Sequence, residues 1–355
     1  MLIALVIQNF LDFSHEAALS FLELLRIEEQ WKTQHYAEED LKLQEIKTQV
    51  DLFKFIQAIG QSQWFKGHDR SRYEGIDINR DLKEKYFNLF EKIGLIDEIS
   101  YNMESGAPNF LVVLGGYERG IEIRVNTLVA DCNERGVMPT ENIIIGLGCN
   151  RKLDPKREPS ANRLQDLGED TEMNVLSSIV EAAIAQRIKT KEAIKYKPIN
   201  TSSSVVTRVD PSCVKTGDTA ASLKDYLESY LEYKNTMDKP IIAVYSNQPF
   251  ILRQQFDMQS KLGEGYKVYG VGQGITEEEF IESPTIIVSC LAELARIINT
   301  KFTEKFKHIK DDLTEEQIQE IHSLSKNNTQ LDEIQVPTEV QVNSVERFTG
   351  TSIQK

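Results

Sequence analysis

The stretch Phe110-Leu111-Val112-Val113-Leu114-Gly115-Gly116-Tyr117-Glu118-Arg119 decides the fold. Five apolar residues in a row, stopped by two glycines and then by charge, fit a strand buried on both faces. A run this short also suits a helix, so its neighbours settle the matter. Ile121, Val125, Leu128, Val129 and Cys132 follow at the spacing of a helical apolar stripe, and Gly136 stands where that helix should stop. The unit therefore reads strand, Gly-Gly turn, helix. Gly115 and Gly116 allow a sharp turn and bring backbone N–H groups close to a ligand. The helix start beyond them carries a partial positive charge suited to an anion.

The same alternation continues down the chain. Strands are expected at 142–146 (NIIIG), 203–209 (SSVVTRV), 241–245 (IIAVY) and 267–271 (KVYGV). Apolar stripes between and after them predict helices, among them one with Val175, Leu176, Ile179 and Val180 and one with Leu223, Tyr226, Leu227 and Tyr230. Thr171 or a neighbour caps the first of these, and Pro284 suits the first turn of the last helix. The basic, Pro-containing segment 149–168 is expected as a loop over the sheet edge. Strands alternating with helices imply parallel βαβ units, so the fold class is α/β, a doubly wound, mostly parallel five-stranded sheet. It should occupy residues 109–302.

Residues 1–105 show only helical patterning and form an added N-terminal helical region. Ala17, Ala18, Phe21, Leu24 and Leu25 make one stripe; further helices are expected at 38–59 and 82–94. Beyond 303 the chain turns polar and acidic, with one more helix at 314–325 and a disordered end.

The 355-residue chain carries a formal net charge of -14, most of it outside 109–302, which argues against a nucleic-acid partner held through phosphates. No segment is long and apolar enough to span a membrane. The N-terminus lacks the basic start of a signal peptide. The four cysteines, at 132, 149, 213 and 290, lie far apart without a Cys-x-x-Cys, and read as core thiols of a cytoplasmic protein. No histidine falls within 109–302, which removes Ser-His-Asp, Cys-His and His-metal chemistry from the sheet domain.

Ligands of doubly wound sheets bind outside the carboxyl ends of the strands. That rule selects Gly115, Gly116 and Arg119 after the first strand, and Gly148, Asn150 and Arg151 after the second. It adds Asp218 and Thr219 before the next long helix, and Asn247 and Arg253 after the strand at 241–245. Arginines in such loops suit a phosphate or carboxylate through forked hydrogen bonds. Acid–base work falls to Glu118, Glu172, Asp210 or Asp218. Asp218 or Thr219 also reads as a plain helix cap. Arg119 and Arg253 are expected in one cleft with the Gly115-Gly116 turn. No G-x-G-x-x-G, P-loop or G-x-S-x-G motif is present.

The order VVLGG-x-x-x-R, GLGCNR, Thr171-Glu172, GDTAASL and YSNQPFILRQ resembles the bacterial YdcF/SanA/ElyC-like family over roughly residues 109–275. The matching positions are Gly115, Gly116, Arg119, Glu172, Thr219 and Arg253. The second strand ends in Gly-Leu-Gly where the family has Ser-Gly-Gly, and the family histidine is absent near Pro249 and Phe250. The resemblance implies a Rossmann-like fold with a loosely defined activity, linked in some members to envelope lipid carriers and in one to S-adenosylmethionine. Envelope members carry a membrane anchor, so this chain resembles the soluble branch.

Three readings follow. The first is a small anionic or nucleotide-like ligand at the sheet's carboxyl edge, with transferase or hydrolase chemistry. The second is a non-catalytic module whose acidic flanks engage a protein partner. The third is an S-adenosylmethionine protein, against which stands Asn150-Arg151 where an acidic residue would hold the ribose.

Overall fold

The computed structural model describes residues 2–35, 46–48, 51–52, 54–55, 79–156, 158–168, 170–190, 193–201, 216–234 and 240–309. Its elements in chain order are α1 (Leu2–Leu11), α2 (His15–His35), α3 (Arg80–Ile93), β1 (Phe110–Leu114) and α4 (Glu118–Ala130), which passes into a π turn (Asp131–Arg135). Then come β2 (Ile143–Gly148), α5 (Ala161–Gln165), α6 (Glu172–Gln186), β3 (Lys195–Asn200), α7 (Thr216–Lys234) and β4 (Ile241–Asn247). The described chain closes with α8 (Ile251–Leu262), β5 (Lys267–Gln273), α9 (Glu277–Glu282) and α10 (Pro284–Ile309).

All five strands are parallel, in the order β3-β2-β1-β4-β5. β1 lies at the centre with every residue buried, as its unbroken apolar run requires. Its side chains alternate between two cores. Leu111 and Val113 join Ile144, Val125, Leu128, Leu176 and Val180 on the face covered by α4 and α6. Phe110, Val112 and Leu114 join Ile143, Ile145, Leu223, Leu227 and Met258 on the face covered by α7 and α8. The chain thus leaves β1 toward one face and leaves β4 toward the other. The strand order reverses between these two neighbours, which is where doubly wound sheets open for a ligand.

The stripe Ile121, Val125, Leu128 of α4 is fully buried, and Gly136, at φ 69°, ends the π turn in the left-handed conformation that glycine adopts without strain. The π turn holds Asp131 inside, where its carboxylate accepts from the Tyr245 hydroxyl (3.0 Å) and from Arg135 (3.0 Å). Burial raises the pKa of Asp131 against the pull of both donors.

A third core lies outside the sheet. Ile7, Leu11, Phe21, Leu24 and Leu25 of α1 and α2 pack with Phe90 and Ile93 of α3, Phe280 of α9 and Ile287, Leu291, Leu294 and Ile298 of α10. Leu252 and Phe256 of α8 pack against it from the sheet side. Each of these fully buried large side chains contributes about 1.5–3 kcal/mol relative to exposure. The last described helix, α10, therefore belongs to the same apolar layer as α1 and α2.

Two expectations need correction or restriction. The third strand is Lys195–Asn200, which the sequence reading passed over. It is an edge strand in which lysines alternate with Tyr196 and Ile199, so no apolar run marks it. The expected strand at 203–209 lies outside the described residues, as do Cys213, Asp210 and the expected helix at 314–325. Of the expected helix at 38–59 only 46–48, 51–52 and 54–55 are described, with Ile46, Leu52 and Phe55 buried in the helical core. Among the described residues no helix is long and apolar enough to cross a membrane.

Cys132, Cys149 and Cys290 are free and buried. Burial pushes the Cys132 and Cys149 thiols up to about 12, and Cys290 is raised as well, so little thiolate is present near neutrality. A thiol reagent applied to the native chain at pH 8 should leave all three unmodified over minutes. The same reagent in denaturant should label them fully. Mass spectrometry of the peptides reads the result, and native labelling at two or more of these sites would contradict this packing.

Candidate functional site

At the switch point the first side chain met is Arg124, from the second turn of α4. It points back over the end of β1 and is 4% exposed. Its Nη1 donates to the carbonyl oxygens of Leu114 (2.9 Å) and Gly115. Its Nε and Nη2 both donate to Asn247 Oδ1 at the end of β4 (3.0 and 2.8 Å). One guanidinium thus joins the carboxyl ends of the two strands between which the order reverses. Arg124 escaped the sequence reading, although a signal existed. It falls three residues after Ile121 and four before Leu128, a charge on an otherwise apolar stripe.

The second centre is Arg151, just after β2. Its Nε donates to Glu172 (3.1 Å), while Nη1 and Nη2 grip both oxygens of Glu158 (2.9 and 3.1 Å). Nη2 also donates to Gly116 O (3.0 Å), and the guanidinium lies 4.6 Å from the centre of the Tyr117 ring. Burial opposes its charge, but Glu158 and Glu172 outweigh that and hold its pKa above the ordinary guanidinium value. Glu158 is 1% exposed and is held by four donors: the two Arg151 nitrogens, Glu118 N (3.2 Å) and Asp154 N (2.7 Å). Glu118 in turn accepts from Ser160 N (2.9 Å) and from the Ser160 hydroxyl.

Glu172, the first residue of α6, is less well served. Besides Arg151 it accepts from Cys149 N at 3.3 Å. Burial raises its pKa, and the partial pull of Arg151 does not restore the ordinary value. Its Oε1 presses on Gly115, where an added Cβ would meet it at 2.2 Å and Leu147 O at 3.0 Å. Only glycine fits there. The same closeness explains why Gly148 is buried beside Met173 and Glu172.

The turn works differently from the expectation. Gly115 N donates to Leu147 O (2.6 Å), continuing the β1–β2 ladder, and the carbonyls of Gly115 and Gly116 face Arg124 and Arg151. The N–H at the start of α4 goes to Glu158. The anion that this helix end favours is one of the chain's own carboxylates.

The other expected residues are distributed as follows. Arg119 and Asn150 are exposed at the rim, and Asn150 accepts from Asn200 at the end of β3. Asp218 and Thr219 are half-buried in the first turn of α7, on the opposite face. Arg253 does not share a cleft with Arg119. The two follow strands whose helices cover opposite faces of the sheet. Arg253 points along α8 to Asp257 (2.8 Å) and across to Glu293 of α10. Glu293 also pairs with Arg296, and Asp257 accepts from Thr300 (3.2 Å). Glu293 is 0% exposed, and its arginine partners hold its pKa below the usual carboxylate range despite burial, which opposes them. Among the described residues no group of three or more His, Cys, Asp and Glu is placed to hold a metal ion.

Fold and switch point together define a doubly wound, Rossmann-like α/β protein with a helical layer on one flank. In comparison with known proteins, no family model, no curated protein and no solved structure matches the chain.

Two outcomes follow from this geometry. Arg253→Ala leaves Glu293 and Asp257 buried without their main partner and should cost about 3–5 kcal/mol of stability in a urea titration. An unchanged midpoint would mean the network holds nothing together. Glu172 sets a pH dependence. Its folded pKa lies above that of the unfolded chain, so as pH rises past about 4.3 the unfolded chain loses its proton first. The stability of wild type minus that of Glu172→Gln should therefore fall as pH rises through the folded pKa, then level off. A difference that is flat or rises with pH would refute the assignment.

Proposed function

We propose that this chain is a soluble, cytoplasmic YdcF-like protein that takes a small anionic or nucleotide-like ligand at the carboxyl edge of the sheet, between β1 and β4. One observation carries the reading: segments distant in sequence bring Arg124, Arg151, Glu172 and Asn247 together at the reversal of strand order. A buried carboxylate with a raised pKa in such a place is suited to exchange a proton with a ligand, and Glu172 is that group. Arg119 and Asn150 at the rim meet the ligand's charged end, and Asn247 meets it from β4. Asp218 and Thr219 approach from the face of α7. The reaction class is transfer or hydrolysis, with S-adenosylmethionine as a further candidate ligand.

A second reading has its own support. Arg151 and Arg253 are each matched by two of the chain's own carboxylates, as in a scaffold that engages a protein through its acidic flanks and catalyses nothing.

A thermal-shift panel of nucleotides, sugar nucleotides, S-adenosylmethionine and polyprenyl phosphates separates the two. Under the first reading one class raises Tm by several degrees in a dose-dependent way, since a ligand at 100 times its Kd stabilises by about 2.7 kcal/mol. No response to any class at millimolar concentration would favour the scaffold.

A further inference from the structure

The described residues of the segment 152–170 (152–156, 158–168 and 170) form a strap over the strand ends. Its base is closed by the antiparallel bridge of Lys152 with Thr171, by Leu153 N donating to Asp170 O (3.1 Å) and by the Lys152–Asp170 ion pair. Leu153 and Ala161 are buried and Leu164 packs against the same core, whereas Pro155, Lys156 and Pro159 are exposed and Leu167 is 64% exposed. Between two exposed prolines the Glu158 side chain turns fully inward. Burying an ion costs several kcal/mol unless partners compensate, so Glu158 goes in because a complete set of donors awaits it. Two backbone N–H groups and a forked guanidinium fill both its oxygens. The forked guanidinium and Glu118 N are the donors that a bound carboxylate or phosphate group would receive at a helix start, whereas Asp154 N belongs to the strap itself.

We infer that Glu158 is a resident stand-in for a ligand oxyanion, and that the strap is an internal competitor which lifts when a ligand's carboxylate or phosphate takes the seat between Arg151 and the start of α4. The inference rests on the proposed ligand-binding reading and names the chemical group recognised there. An incoming oxyanion makes the bonds that Glu158 gives up to Arg151 and Glu118 N, while lifting the strap also gives up the Asp154 N bond and the core contacts of Leu153, Ala161 and Leu164, so the closed form dominates without a ligand. The apparent affinity of the native chain is lowered by the small fraction in which the strap is open. Ser160, bonded to Glu118, is a second tether that leaves the seat itself untouched.

The test uses the full chain, titrated calorimetrically at constant ionic strength with inorganic phosphate in one arm and acetate in the other. Glu158→Ala should bind one of the two at least about ten-fold more tightly than wild type, and the stronger arm names the group. In wild type, saturating amounts of that anion should speed tryptic cleavage after the exposed Lys156. Should Glu158→Ala not fold, Ser160→Ala provides the test, with a smaller gain in affinity of the same sign. A folded Glu158→Ala, or in its place Ser160→Ala, that binds both anions no more tightly than wild type overturns the proposal. The two readings fail separately. If Glu158→Ala gains anion binding while no panel compound shifts wild type, the seat stands and the ligand class is wrong. If a panel compound binds wild type and Glu158→Ala equally, the ligand reading stands and the seat is elsewhere.

Discussion

A guanidinium kept from water needs oxygen atoms for its N–H groups, and the carboxyl edge of this sheet is arranged around two such demands. Arg124 is answered by the backbone at the end of β1 and by Asn247 at the end of β4. Arg151 is answered by carboxylates from the strap and from α6, and by the carbonyl of Gly116. Removing one member of such a set costs far more than the set contributes, because the remaining charge stays buried and unmatched. The demand also fixes backbone. Glu172 must come so close to serve Arg151 that the neighbouring turn has room for glycine alone at 115. Side-chain chemistry at the edge and main-chain conformation at the centre of the sheet are thus one problem with one solution.

A third buried arginine plays the same part in another place. Arg253, with Asp257, Glu293 and Arg296, lies where α8 meets α10, the junction between the sheet and the flanking helices. The apolar layer beyond it combines helices from both ends of the described chain. Since α8 follows β4 directly, whatever anchors α8 also steadies Asn247 and, through it, Arg124.

Much of the architecture was legible because burial writes itself into sequence where strands are covered on both faces. Phe110–Leu114, the isoleucines of β2 and the apolar runs of β4 and β5 leave no polar face to mislead, and the stripe of α4 stops at a glycine that the backbone needs. β3 was missed for the converse reason. A strand at the margin carries charge and proline, and its pattern resembles a loop. The candidate site was legible by position only. Strand-end rules pointed to Arg151 and Asn247 and the acid–base reading to Glu172, yet neither could tell a guanidinium offered to a ligand from one already matched. Arg253 and Arg151 look alike in sequence, and their partners, Glu293 and Glu158, come from segments that carry no motif. Pairing between distant charges depends on tertiary distance, which composition and periodicity do not encode.

The overlooked strand has a consequence for how the protein behaves in a crowded solution. Among the described residues no strand pairs with the outer edge of β3, where Lys195 and Lys197 are exposed and Pro198 lacks an N–H to offer. An outer strand of Val and Ile would invite another molecule to add a strand and continue the sheet. Here like charges repel a second copy and the proline interrupts the donor row, which disfavours addition of a further strand. At the other margin, β5 is met by the antiparallel bridge between Ile99 and Gly272, which covers part of the second open row. The two borders thus oppose self-recruitment by different means, charge and proline at β3 and a local bridge at β5, in a sheet made largely of aliphatic strands.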